Sequence, residues 1–421
     1  MMDAVSVLSA IQHNPIYLVA LFFFAAYPIV TSIMWVTTAF FFRQRWEGYQ
    51  DTPLALDRSL TVSILIPAHN EARLLEGALT AACAIDYPRF EVVVVDDGST
   101  DGTADIIRRF AGAGKVRGIF KHNNQGKAMA LNDALPCLNG DIVLIMDADA
   151  EPEPDILWHV MPHFSSTRVA AVTGNPRVRN VDTFLARLQL MEFTSIVSLL
   201  RRSQRIWGRI VTVSGVVAAF RRNALFDVGG FSPDMATEDI ELTWKLQKRF
   251  WDVRYEPRAL VWMTVPSNYK AHFKQRLRWA RGLMQVLHRH ANVMRHWKYR
   301  RMWPIFIESV FSTLWALCFV VLSVIWIVSY SMGFPPIGAH PIPNFWGMVI
   351  ATVCMVQIIV GTLIDRTYDR ATTGYFAYAV YYPIIYWAVL QIAAVIALPH
   401  LFKKPSRKAV KWTTRRAPLD T

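Results

Sequence analysis

Several short stretches of this 421-residue chain place acidic, basic and aromatic side chains at spacings that could do chemistry together. Asp147-Ala148-Asp149 closes an apolar run. It reads either as a strand-ending turn or as a pair of hard carboxylates that hold Mg2+ or Mn2+ together with a ligand's diphosphate. Asp96-Asp97-Gly98-Ser99-Thr100-Asp101-Gly102 follows another apolar run. Such turn formers often make only a βα loop, yet a carboxylate there can also pair with the imide N–H of a uracil. Lys127, after Gln125-Gly126, is either a solvated helix charge or a counter-charge for a diphosphate. Thr237-Glu238-Asp239 opens a helix-like stretch, so its acids either complement the helix dipole or supply Asp239 as a general base.

Gln275-Arg276-Leu277-Arg278-Trp279 is the most informative stretch. At 3.6 residues per turn, Tyr269, Phe273, Leu277, Ala280, Met284 and Leu287 form one apolar stripe. Gln275, Arg278 and Trp279 share the opposite face at i, i+3 and i+4, where they can act on one ligand. The stripe suits a helix lying in a membrane interface, with an ordinary core helix as the alternative. Phe184 to Leu200 offers the same choice.

These motifs need a scaffold, and the pattern around them alternates. Short β-rich runs stand at Val62–Ile66, Glu91–Val95, Val116–Phe120 and Asp141–Met146. Helix-like stretches lie between them at Glu71–Ala82, Ala104–Phe110 and Gly126–Leu135. Buried strands alternating with helices predict an α/β domain with a mostly parallel sheet, which binds ligands at the carboxyl ends of its strands. Pro67 to Glu71, Asp96 to Gly102 and Asp147 to Asp149 all fall at such ends. No GxGxxG follows a strand, so the dinucleotide-binding fingerprint is missing.

The composition, 53% hydrophobic and 18% charged, excludes a wholly soluble enzyme and a disordered chain. Ile16 to Phe42 is an uncharged run long enough to cross a bilayer, and Arg43 and Arg45 after it put that end in the cytoplasm. Three further spans are expected at Ile305–Met332, Phe345–Ile364 and Tyr375–Leu401, with Gly333–Asn344 as an outside loop. Three crossings would carry the basic tail outside, against the positive-inside bias; otherwise the last segment, broken by Pro383, does not cross. Glu308, near the cytoplasmic end of its span, either snorkels or lines a pathway. The net charge of +13 gathers on membrane flanks, which argues against nucleic acid as a partner. Four cysteines without CxxC spacing suggest neither a disulfide framework nor a zinc site. The expected division is 1–45 as anchor, 46–268 as catalytic domain, 269–304 as interfacial helices, 305–402 as membrane region and 403–421 as tail.

In combination, Asp97, Asp147 with Asp149, the T-E-D ending at Asp239, and Q-x-x-R-W resemble the membrane-integrated, processive family 2 glycosyltransferases, relatives of cellulose, chitin and hyaluronan synthases. Thr173–Arg179, Thr212–Val216, Ala218–Arg222, Tyr255–Leu260 and Arg301–Pro304 are similar to one branch, the bacterial synthases of the biofilm polysaccharide poly-β-1,6-N-acetyl-D-glucosamine. The resemblance implies a glycosyltransferase-A-like domain inserted between transmembrane helices of a bacterial inner membrane, facing the cytoplasm. It implies UDP-N-acetylglucosamine as donor, a growing β-1,6-linked polysaccharide as product, export coupled to synthesis, and Mg2+ or Mn2+ as cofactor. A small membrane accessory subunit, with cyclic di-GMP control in Gram-negative relatives, is implied as partner. Asp97 would bind uracil with Pro67 and Glu71 near the nucleoside, Asp147 would approach ribose or metal, and Asp149 would ligate the metal. Lys127 and Arg278 would neutralise the diphosphate, Trp279 would stack on the acceptor, and Glu238 and Gln275 would stand beside them. Asp239 would take the acceptor's proton. Alternatives are a hyaluronan-, chitin- or cellulose-like synthase and a non-processive transferase loading a lipid carrier, which has no need of Q-x-x-R-W. Two departures are a single N-terminal span where some relatives have two, and Arg281-Gly282-Leu283, where a second glycine is expected.

Overall fold

The fold is that of a computed structural model describing residues 4–47, 59–333, 345–403 and 408–411. Most of the expected outside loop, and the tail beyond residue 411, lie outside the described residues. The apolar runs become β1 (Val62–Ala68), β2 (Phe90–Asp97), β3 (Arg117–Lys121) and β4 (Ile142–Met146), parallel in the order β3-β2-β1-β4. The sheet continues through β7 (Val217–Arg221), β6 (Val169–Val178), β8 (Asp252–Met263) and β5 (Glu151–Pro152). Of its eight strands only β7 and β5 run against the rest, so the mostly parallel sheet expected from the sequence is observed.

Adjacent residues of one strand serve two cores because strand side chains alternate between faces. Ile64, Ile66, Val92 and Val94 pack against α3 (Leu75–Cys83), α4 (Thr103–Gly112) and α6 (Ile156–Val160). Leu65, Val93 and Val95 pack against α5 (Lys127–Ala134), α9 (Arg222–Asp227) and α10 (Glu238–Lys248). Each such side chain, fully buried, contributes about 1.5–3 kcal/mol. The helix expected from Glu71 starts four residues later, at Leu75. Asn70 takes a left-handed φ of 56°, and the Glu71 N–H is held by Thr103 Oγ1 at 2.9 Å, so the intervening residues form a turn.

Three helices among the described residues are long and apolar enough to cross a membrane. The short α1 (Ala4–Gln12) precedes α2 (Pro15–Phe42), which begins where Asn14 Oδ1 accepts the Ile16 N–H at 2.8 Å. Later come α12 (Trp303–Ser331) and α13 (Phe345–Asp365). The domain-side ends of α2 and α13 are tied to α8 (Ser198–Trp207) by buried charges. Arg202 meets Glu47 at 2.6 Å and Asp365 at 2.9 Å, and Arg177 of β6 meets Asp365 at 2.5 Å. Glu308 has a partner in the neighbouring helix, the Tyr27 hydroxyl at 3.5 Å.

The fourth expected segment, Tyr375–Leu401, is broken, and its apolar helix, Trp387–Leu401, is shorter than the three helices above. The segment is a 3-10 stretch (Arg370–Tyr381), a π turn (Tyr382–Tyr386) containing Pro383, α14 (Trp387–Ala397) and a last 3-10 turn (Leu398–Leu401). The 11 residues of α14 span only about 17 Å, against a bilayer core of about 30 Å. The two ends of the segment meet α7 (Phe184–Met191) and α11 (Tyr269–His290): Arg187 donates to Tyr378 Oη, and His288 Nδ1 lies 2.7 Å from Leu401 O. Residues 408–411 lie on the catalytic domain as well. The Val410 N–H donates to Pro233 O at 2.8 Å, and Val410 O lies against Gly126. The thiol of a Val410→Cys variant should react with a membrane-impermeant maleimide in the same orientation of sealed vesicles as the exposed Cys137. Labelling of the Val410→Cys thiol from the opposite face would overturn this path.

Candidate active site

Hydrogen bonds stitch together the loops at the carboxyl ends of β1 and β2. Thr100 N–H donates to Asn70 Oδ1 at 2.8 Å, Asn70 N–H to Ser99 Oγ at 3.0 Å, and His69 Nδ1 lies 2.9 Å from Asp97 O. Pro67 lies near the end of the buried β1, and Glu71 is buried in the turn after it. Asp97 is fully buried at the end of β2. Its carboxylate accepts the N–H groups of Gln125 at 3.1 Å and Gly126 at 2.7 Å, with Lys121 Nζ at 3.3 Å. Asp97 thereby fixes the loop that launches α5. Gly126 is needed at that point: its φ is +94°, and a Cβ would stand 2.1 Å from Val410 O.

The first residue of α5 is Lys127, and its ammonium is the hub of the site. Nζ lies 2.7 Å from Asp147 Oδ1, 3.2 Å from Gly215 O and 3.3 Å from Glu238 Oε1. Burial opposes the charge, but Asp147 and Glu238 outweigh it and hold the ammonium above its ordinary pKa. Asp239 joins the same cluster. Its Oδ1 accepts the Ile240 N–H at 2.9 Å, as a first-turn acid should, while Oδ2 would stand 2.8 Å from any Cβ at Gly215. Burial and the neighbouring Glu238 push the Asp239 carboxyl up to about 6, partly offset by Lys127, the Ile240 N–H and Arg278. A carboxyl near 6 is poised to take a proton at neutral pH.

Asp149 is buried just past β4. Asp147, Glu238 and Asp239 gather around Lys127, and carboxylates of this kind offer hard oxygens suited to a divalent cation. Among the described residues no three His, Cys, Asp or Glu side chains form a metal cage. Mg2+ is commonly held by one or two carboxylates together with substrate phosphates.

Helix α11 (Tyr269–His290) carries Gln275, Arg278 and Trp279, and of the three Arg278 acts on the Asp239 carboxylate of this cluster. The helix starts where Asn268 Oδ1 accepts the Ala271 N–H at 2.8 Å. Gly282 lets it dock: a Cβ there would stand 1.9 Å from Thr237 Oγ1, and one turn on, Gln285 Oε1 accepts the Ala236 N–H at 2.9 Å. The lone glycine of Arg281-Gly282-Leu283 is thus a close contact between α11 and the T-E-D segment. Arg278 is exposed and within electrostatic reach of Asp239. Gln275 is partly buried, and Trp279 packs beside Val178, Ala186, Met263 and Val265.

The apolar stripe expected on α11 is corrected at its N-terminal half. Tyr269 is 56% exposed, whereas His272 and Arg276 are buried. Their partners, Gln189 and Glu192, lie more than eighty residues upstream, so helical periodicity alone could not reveal the buried polar face. The other candidate, Phe184 to Leu200, is α7 (Phe184–Met191), a π turn (Glu192–Val197) and the start of α8, packed against α13 and the Tyr382–Tyr386 turn.

An open α/β sheet with acids and a buried lysine gathered at the carboxyl ends of its parallel strands has the architecture of the A-type glycosyltransferases. Comparison with known proteins narrows the class. The profile for "Glycosyltransferase like family 2" matches residues 59–282. Poly-β-1,6-N-acetyl-D-glucosamine synthases of Staphylococcus epidermidis and Staphylococcus aureus are 30% and 28% identical, over 93% of this chain and 97% of theirs. The solved mannosyltransferase PcManGT from Pyrobaculum calidifontis, in complex with GDP-Man and Mn2+, has 25% identity and a TM-score of 0.59. That match covers 89% of this chain and 99% of the other. The chain belongs to glycosyltransferase family 2.

Gly282→Ala tests the docking of α11. The added methyl must push Thr237 away and move Asp239 with it, and misplacement by about 1 Å can cost on the order of 10²-fold in rate. Transfer should fall at least tenfold with UDP affinity retained. A wild-type rate in a folded Gly282→Ala protein would show that the contact is not rate-setting.

Proposed function

We propose that the chain transfers N-acetylglucosamine from UDP-N-acetylglucosamine to the end of a growing β-1,6-linked polysaccharide. The observation that carries this reading is the docking of α11, at Gly282 and Gln285, against Thr237 and Ala236, which brings Arg278 within electrostatic reach of Asp239 beside Lys127. One site then serves a nucleotide donor and a polymer acceptor. The polymer's identity rests on the staphylococcal synthases, which match nearly end to end.

The residues divide the work as follows. Asp97, with Pro67 and Glu71, holds the uridine side. Lys127 and Arg278 face the diphosphate, and Asp147 and Asp149 hold a divalent cation, Mg2+ or Mn2+. Bound there, the cation supplies Lewis-acid stabilisation of negative charge as UDP departs. Gln275 and Glu238 flank the acceptor, which stacks on Trp279. Asp239 takes the proton from the acceptor hydroxyl as it attacks the anomeric carbon, and the α-linked donor yields a β bond.

The protein sits in a bacterial inner membrane with this domain in the cytoplasm, supported by Arg43, Arg45 and the basic run His296–Arg301 on the domain side of the spans. The proposal includes export of the product and a small membrane accessory subunit through which cyclic di-GMP acts. Exposed apolar residues on α2 and α12, including Phe22 and Ile327, offer lipid or such a subunit a surface.

A second reading has support in the long match to the mannosyltransferase complexed with GDP-Man, namely a GDP-mannose donor. Purified full-length protein given each donor with Mg2+ or Mn2+ separates the two. UDP-N-acetylglucosamine should yield a 1,6-linked polymer, whereas transfer from GDP-mannose alone, or 1,4 linkages, would refute the main reading. The acid limb of kcat/KM should fall as pH drops through about 6, because protonation removes the Asp239 base. Asp239→Asn should cost about 10²–10⁴-fold in transfer and abolish that limb, with UDP affinity kept.

A further inference from the structure

The buried face of α11 holds a charge network that donor chemistry leaves unused. The Arg276 guanidinium is 4% exposed and lies over the Trp279 ring, 4.2 Å from its centroid. Its Nη1 and Nη2 donate to Glu192 at 3.1 and 2.6 Å, and Nη2 donates to Tyr386 Oη at 2.7 Å. Tyr386 Oη in turn donates to Glu192 Oε2 at 2.6 Å. The triangle closes on itself and leaves the guanidinium one orientation.

Two features argue that this network is more than packing. Buried ion pairs add little net stability over apolar side chains of the same volume, so their usual return is geometric. Both partners also sit at π-helical interruptions, Glu192 opening the turn Glu192–Val197 and Tyr386 closing Tyr382–Tyr386. Such interruptions concentrate at functional sites. After Tyr386 the chain enters α14, where Trp387 meets Trp315 of α12 edge to face at 5.4 Å. The network therefore joins Trp279 to the membrane helices.

We propose that Arg276 is a positioning residue for the acceptor: Glu192 and Tyr386 clamp its guanidinium against one face of Trp279 and so hold the other face for the terminal sugar. This rests on reading Trp279 as the acceptor platform. A loosened clamp lets the growing chain dissociate sooner, so product length reports on it. Arg276→Lys keeps the charge but loses the planar fork. Tyr386→Phe removes one hydroxyl and disturbs folding least.

The test uses the full-length protein in lipid nanodiscs, with UDP-N-acetylglucosamine and a short β-1,6-linked N-acetylglucosamine oligosaccharide as acceptor. Arg276→Lys should raise the acceptor KM about tenfold and shorten the product, with donor KM and UDP affinity within about twofold of wild type. Tyr386→Phe should shift both readouts in the same direction by about threefold. Trp279→Ala should match or exceed Arg276→Lys. Wild-type acceptor KM and product length in folded Arg276→Lys and Tyr386→Phe, with Trp279→Ala impaired, would overturn the clamp and leave the platform standing. Wild-type behaviour of Trp279→Ala would overturn both. Equal losses in donor and acceptor parameters would make the network merely structural, and should Arg276→Lys fail to fold, Tyr386→Phe alone decides.

Discussion

One buried ammonium organises this site. Lys127 Nζ stands between Asp147 at the end of β4, Glu238 at the start of α10 and the carbonyl of Gly215, three points remote in sequence. Without a cation there, the acids of the D-x-D and T-E-D motifs would repel one another in a poorly solvated cleft, and desolvation would favour their neutral forms. Lys127 occupies its place because Asp97 grips the preceding two backbone N–H groups. The strand order puts β1 between β2 and β4, so Asp97 and Asp147 flank one crevice.

The junction of α11 with the T-E-D segment is built by close approach rather than by charge. α11 reaches the T-E-D segment because Gly282 has no side chain to keep Thr237 away. The same helix buries Arg276 through Glu192 and Tyr386 and so ties the catalytic domain to the membrane segment. The junction on the other side is ionic as well, through Asp365, Arg177, Arg202 and Glu47. Both junctions are fully or nearly fully buried, where removing one partner typically costs about 3–5 kcal/mol. The attachment of domain to membrane helices is thus specific in geometry.

Much of this is legible in the sequence, for stated reasons. β1 to β4 are uninterrupted apolar runs, and the polar clusters after them fall where an α/β sheet places its ligands. The strands β5 to β8 do not announce themselves, since β6 carries Gly174 and Pro176 and β8 carries Glu256 and Pro257, which break the apolar signal. Arg276 is silent in the sequence because its partners lie 84 and 110 residues away, and no local pattern points to them. Gly282 stands out there only as a lone glycine, and its contact with Thr237 is tertiary. The segment 375–401 has the composition of a span. The signal that it is broken is Pro383, which sits in the π turn before the short α14.

The central claim is that Lys127 gathers the acids and receives the diphosphate. Calorimetry of uridine and UDP binding to full-length Lys127→Met, set beside wild type, tests it most directly. The expected result is uridine affinity within about twofold of wild type and UDP affinity at least tenfold weaker. Undiminished UDP affinity in the folded variant would contradict it.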